Sequence, residues 1–151
     1  MKCNCTPFDN HFDFRHKNRS IVPFKDKGKG RSKYIYKNQS VNHLAKYKID
    51  GGLISDNAPK CDFLLLNCEQ KQSYFIELKG SDMICAVEQI DRSIEMLKNK
   101  LPGFAFFARI VLTRVNTIDL KDTKLPKLKK KLKSLNGNLK KSSRGVLEET
   151  V

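Results

Sequence analysis

CDFLLLNCEQKQSYFIELK, residues 61–79, decides how this chain is read. Cys61–Leu66 and Ser73–Lys79 are apolar runs of strand length, and the six residues between them, NCEQKQ, are polar. The pattern predicts an antiparallel hairpin with its turn centred between Glu69 and Gln70. Asp62 then falls opposite Glu77, and side chains paired in such a ladder share a face with Cβ atoms about 5 Å apart. Lys79, two residues past Glu77, points to the same face. Two carboxylates and an ammonium therefore meet at one end of an otherwise apolar hairpin, where burial is costly unless they are used. Carboxylates this close repel, and a divalent cation relieves that repulsion.

The flanking sequence extends the pattern. Gly80 ends the second strand, and Ser81 or Asp82 is a good helix N-cap. Ile84, Val87, Ile90, Ile94 and Leu97 then form a helical stripe over Met83–Lys98, with Gln89 off it. Phe104–Arg114 reads as a buried strand. Leu125, Leu128, Leu132 and Leu135 mark a second helix, lysine-rich on its other face, which Asn136-Gly137 stops. Residues 138–151 read as either a short edge strand or a loose end. Asp50 lies on a strand preceding that of Asp62. Simple pairing sets Asp50 opposite Leu65, facing away from Asp62, unless a bulge at Gly51-Gly52 turns it back.

Asp62-x14-Glu77-Leu78-Lys79 resembles the core motif of the PD-(D/E)xK nuclease superfamily, a group that includes restriction enzymes, Holliday-junction resolvases and repair exonucleases. The resemblance covers roughly residues 40–115. It implies an α/β fold with a restriction-endonuclease-like αβββαβ core and a mixed, partly antiparallel sheet, followed here by the basic C-terminal helix. It also implies that Asp62 and Glu77, with the Leu78 carbonyl, bind Mg²⁺ or Mn²⁺, and that Lys79 assists the attacking water. Gln89 corresponds to a glutamine that reaches toward the metal or the scissile strand in many members. Two features depart from the family pattern. Pro59 stands three positions before Asp62 instead of next to it, and Asn38–Lys46, the expected first helix, contains no acid. His43 and Asp50 are the candidates to replace that acid.

Composition fits a nucleic-acid partner. The net charge is +14, from 30 Lys and Arg against 16 Asp and Glu, which favours a polyanion. Arg15–Lys37 holds nine basic residues and Lys121–Arg144 holds ten, on either side of a centre with most of the acids. Basic flanks suit phosphates and the acids suit a metal. Residues 1–37 are expected as a basic N-terminal extension and 38–151 as the nuclease-like domain. Lys129, Lys130 and Lys133 are the expected phosphate contacts on the second helix. Phe8, Phe12, Phe14, Ile21, Val22 and Phe24 must pack somewhere, across the sheet or at a subunit contact.

No apolar run reaches the about 20 residues of a membrane span, and the N-terminus is polar, so the expected compartment is the cytoplasm. Cys61, Cys68 and Cys85 read as reduced thiols. Cys3, Cys5, His11 and His16 match no strong zinc spacing. The chain has no phosphate-binding glycine loop and no Ser/His/Asp signature. The sequence therefore points to a metal-dependent nuclease, with DNA favoured over RNA and a homodimer expected by family analogy. The alternative is a non-catalytic nucleic-acid-binding protein with a degenerate nuclease fold.

Overall fold

The structure, a computed structural model, describes residues 8, 12–17, 19–26, 31–79, 81–114 and 122–151, and for residues 12–17 the backbone alone. Gly80, residues 27–30 and the side chains of Cys3, Cys5, His11, Phe12, Phe14 and His16 lie outside the described set. The fold is α/β, with two mixed sheets and two α-helices among the described residues.

The central hairpin joins β5 (Phe63–Asn67) and β6 (Gln72–Lys79). Phe63 pairs with Ile76 and Asn67 with Gln72, the register the loop length predicts. On one side of this pair β4 (Leu44–Lys48) runs antiparallel to β5, and β1 (Phe12–Lys17) antiparallel to β4. On the other side β7 (Ala105–Leu112) and β8 (Leu139–Ser142) are parallel to β6 and to each other. The resulting six-stranded order is β1-β4-β5-β6-β7-β8. Between the parallel strands the chain crosses through α1 (Met83–Leu97) and α2 (Lys124–Ser134). Asp82 caps α1, its side chain accepting from the Cys85 N–H at 2.9 Å.

Alternation along the strands sorts residues between two cores. Leu64, Leu66, Phe75, Ala108 and Ile110 pack with Val87, Ile90 and Ile94 of α1 and Leu128 and Leu132 of α2. Phe63, Leu65, Tyr74, Ile76 and Leu78 face the opposite way. That second face is covered by a three-stranded sheet of β2 (Ile21–Lys25), β3 (Lys33–Lys37) and β9 (Val146–Thr150), through Val22, Phe24, Tyr34 and Tyr36. β2 and β3, which lie within the stretch expected as a basic N-terminal extension, pair with each other and with β9, and Val22 and Phe24 pack across the sheet. The C-terminal residues supply one strand to each sheet. A buried ion pair ties the layers: Arg109 of β7 meets Glu149 of β9, with side chains 2% and 8% exposed. Tyr34 donates to the same carboxylate, and Arg109 also donates to Asn138 Oδ1 at 2.8 Å.

Three expectations are corrected. Asn38–Lys46 is not a helix. The buried Asn38 side chain accepts from the Asn42 N–H at 2.9 Å and donates to the Asn42 carbonyl at 2.8 Å. Such local side-chain bonding competes with helical hydrogen bonds, and Val41 takes a φ of 52°. The chain then enters β4 directly. Asp50 also does not lie opposite Leu65. Lys48 pairs with Phe63 and the Ile49 N–H donates to the Asp62 carbonyl at 2.9 Å, so Asp50 is carried past the hairpin end. There the chain doubles back, with Ile54 N–H donating to Ile49 O at 3.0 Å. Gly52 is required in this turn, because a Cβ would stand 2.2 Å from the Lys48 carbonyl oxygen. Cys68 departs from its reading as a reduced thiol: it is disulfide-bonded, to a partner outside the described residues, whereas Cys61 and Cys85 are free.

Candidate active site

Continuing the β5–β6 register by one step sets Asp62 opposite Glu77, on the face covered by α1. Asp62 precedes β5 and is held in place from two directions. Its Oδ2 accepts from the Leu78 N–H at 3.0 Å, and its own N–H donates to the Ile76 carbonyl at 3.2 Å. One residue earlier the Cys61 N–H donates to Ser93 Oγ at 2.9 Å, and that hydroxyl donates to the Gln89 carbonyl at 2.8 Å. Helix α1 is thereby fastened to the start of β5, beside the acids.

Glu77 is 2% exposed, and its Oε1 has no hydrogen-bond partner among the described residues. A buried orphan acceptor carries a desolvation cost of about 1–3 kcal/mol. Burial pushes the Glu77 carboxyl up to about 9, with the Asp62 charge adding to the rise and Lys79 opposing it. Asp62 is raised to about 6, first by burial, against the Leu78 N–H, with Asp26 and Asp50 adding to the rise. At neutral pH this pair holds a proton on Glu77 unless a cation takes its place.

Burial works against the Lys79 charge, but Glu77, then Cys85 and Asp82, outweigh it and raise its pKa. Lys79 is therefore a cation beside the acids. Cys85 in turn donates from Sγ to Gln89 Oε1 at 3.6 Å, so Gln89 is linked through Cys85 toward Lys79. His43 stands at the other end of the hairpin, where its N–H donates to Glu69 Oε1 at 3.2 Å. It therefore does not replace the missing acid. Asp50 is close enough to raise Asp62, but its side chain is 60% exposed and pairs with Lys60 at 3.7 Å.

Sequence reasoning missed Asp26. It follows β2, and its N–H donates to the Ser32 carbonyl at 3.2 Å. Ser32 Oγ donates to the Lys79 carbonyl at 2.8 Å, which brings the end of the β2–β3 hairpin onto the end of β6. Burial raises the Asp26 carboxyl and Lys79 opposes the rise; Asp26 in turn raises Asp62 and Glu77. Nothing in the sequence near Asp26 signals this, since the contact exists only once the second sheet is in place.

Lys129, Lys130 and Lys133 are exposed and make no ion pair among the described residues. At about 100° per residue they point away from the side of α2 that faces α1. On that side Lys124 pairs with Glu88, and Lys131 with Asp91 at 2.7 Å and with Glu95.

Among the described residues no group of three or more His, Cys, Asp or Glu side chains is arranged to hold a metal ion, and no helix is long and apolar enough to cross a membrane. The acidic donors that stand together, the Asp62 and Glu77 carboxylates, are hard oxygens. Such a sparse set fits Mg²⁺ or Mn²⁺, which retain several waters, better than Ca²⁺ or Zn²⁺. The unpartnered Glu77 Oε1 is the atom a cation would satisfy. Comparison of the chain with family models, with curated proteins and with solved structures finds no match.

Proposed function

We propose that the protein is a metal-dependent nuclease that hydrolyses phosphodiester bonds, with DNA as substrate. One observation carries this reading: a buried glutamate with an unsatisfied oxygen stands opposite Asp62 and beside a cationic Lys79 near the end of β6. The β4-β5-β6-α1-β7 succession supports a restriction-endonuclease-like core, with strands in place of the first helix. Asp62 and Glu77 hold the cation, aided by the Leu78 carbonyl. Mg²⁺ or Mn²⁺ bound there supplies Lewis-acid activation of the phosphodiester and of water. Lys79 places positive charge where the phosphate gains negative charge, and orients the attacking water. Gln89 positions the scissile strand from α1, and Lys129, Lys130 and Lys133 offer phosphate contacts on α2.

A second reading is a non-catalytic nucleic-acid-binding protein. It is favoured by the small acid set and by the absence of a first helix among the described residues before β4. Incubation of purified protein with plasmid, linear duplex, single-stranded and branched DNA and with RNA, with and without Mn²⁺, separates the two. The nuclease reading expects Mn²⁺-dependent DNA products. Binding to these substrates without any product supports the second reading.

A further inference from the structure

The end of the molecule that carries the acids is also where four separated segments converge. Lys79 of β6 pairs with Leu112 of β7. The Gly145 N–H donates to the Leu112 carbonyl at 2.7 Å, and the Lys33 N–H donates to the Gly145 carbonyl at 2.8 Å. Ser32 Oγ closes the circuit on the Lys79 carbonyl at 2.8 Å. Each of these anchors has an exposed cation at or next to it: Arg31 and Lys33 on the β2–β3 hairpin, Arg114 just past β7, and Arg144 in the β8–β9 turn. None of the four makes a side-chain hydrogen bond or ion pair among the described residues. Lys131 and Lys124, by contrast, are spent on the acids of α1.

We propose that Arg31, Lys33, Arg114 and Arg144 form a rim that grips the phosphate backbone of duplex DNA and sets it across the Asp62–Glu77 end. This rests on the nuclease reading for the role of the acids, but not for the binding itself. Three of the four are arginines, whose planar fork matches a phosphate with two donors at once. Asp62 and Glu77 lie on the α1 face of the sheet at this end, and the four cations are carried by the strand ends and turns that meet there. That is the charge pattern expected when a polyanion must approach a cation-loaded carboxylate pair. A duplex fits better than a single strand. Single strands are held by stacking on exposed aromatic rings, and the large exposed apolar side chains among the described residues are Ile21, Val41, Met96 and Val146, none of them aromatic.

The test is fluorescence anisotropy with a labelled DNA duplex in EDTA, so that cleavage does not enter, titrated between 50 and 200 mM salt. Arg31→Ala, Arg114→Ala and Arg144→Ala are combined in one variant. Each lost contact removes about 0.9 from the slope of log affinity against log salt. The wild type should therefore weaken roughly 40-fold more than the triple variant across that range. Replacing the same three by lysine should retain most of the slope, which separates lost charge from lost structure. An unchanged slope in the alanine variant, or tighter binding to a single strand or to duplex RNA than to duplex DNA, overturns the proposal. A reduced slope in a protein that yields no product with Mn²⁺ leaves the rim standing and rejects the nuclease reading.

Discussion

Replacing Glu77 by glutamine should stabilise the metal-free protein, and do so increasingly as pH rises. Glu77 ionises near 4.5 in an unfolded chain and near 9 in the fold, because burial and the Asp62 charge disfavour its anion. Below pH 4.5 both states hold the proton and Glu77 contributes no pH dependence. Above it the unfolded chain releases the proton while the fold retains it, so stability falls as pH rises through the window and levels off above 9. At about 1.4 kcal/mol per pH unit, the penalty at pH 7 is about 3 kcal/mol. Glutamine keeps the shape and cannot ionise. Asp62, raised to about 6, contributes a fall of the same sign between its ordinary value and 6, and this remains in both proteins. Urea unfolding followed by circular dichroism at pH 5, 6, 7 and 8 in EDTA gives the comparison. The wild type should lose about 1.4 kcal/mol per unit more than the variant. Saturating Mn²⁺ should reverse the order by stabilising only the wild type. Parallel stability curves in EDTA would refute the claim that burial outweighs the Lys79 charge at Glu77.

Three further outcomes follow from the same geometry. Calorimetry should show Mn²⁺ binding to the wild type that Asp62→Asn removes, and equal affinity in both would reject the Asp62–Glu77 site. Asp26→Asn should lower the pH at which Glu77 ionises, read by carbon-13 NMR of the carboxyl, whereas an unmoved midpoint would place Asp26 outside the cluster. Arg109→Ala should cost about 3–5 kcal/mol in urea unfolding by removing the buried cation from Glu149, which keeps the Tyr34 hydroxyl and the exposed Lys140. Joint replacement of Arg109 by Met and Glu149 by Leu should recover much of that loss, and a small effect of the single change would mean that Lys140 and water satisfy Glu149.

The hairpin was legible because its two apolar runs and symmetric polar loop allow one register, and Phe63 pairs with Ile76 accordingly. Helix α1 was legible for the same local reasons, a capping Asp82 and an apolar stripe. The rest depends on contacts distant in sequence. Strand β9 pairs Val146 with Lys33, so the second sheet cannot be inferred from any window of the chain. Asp26 reaches Lys79 only through that sheet. The error at Asn38–Lys46 has a different origin: a family pattern was laid over a segment whose Asn38 prefers its own turn. Asp50 was misplaced because β4 ends at Lys48 and the following glycines fold the chain back, which changes its register against β5.

The proposed nuclease activity requires Asp62, Glu77 and Lys79 to act together on a phosphodiester. Cleavage of supercoiled plasmid in Mn²⁺ by the wild type, Glu77→Gln and Lys79→Ala measures this most directly, with duplex affinity recorded on the same preparations in EDTA. Nicked or linear product is expected from the wild type alone, with duplex affinity retained in both variants. Product formed at the wild-type rate by either folded variant, or by none of the three proteins on any nucleic acid, would contradict it.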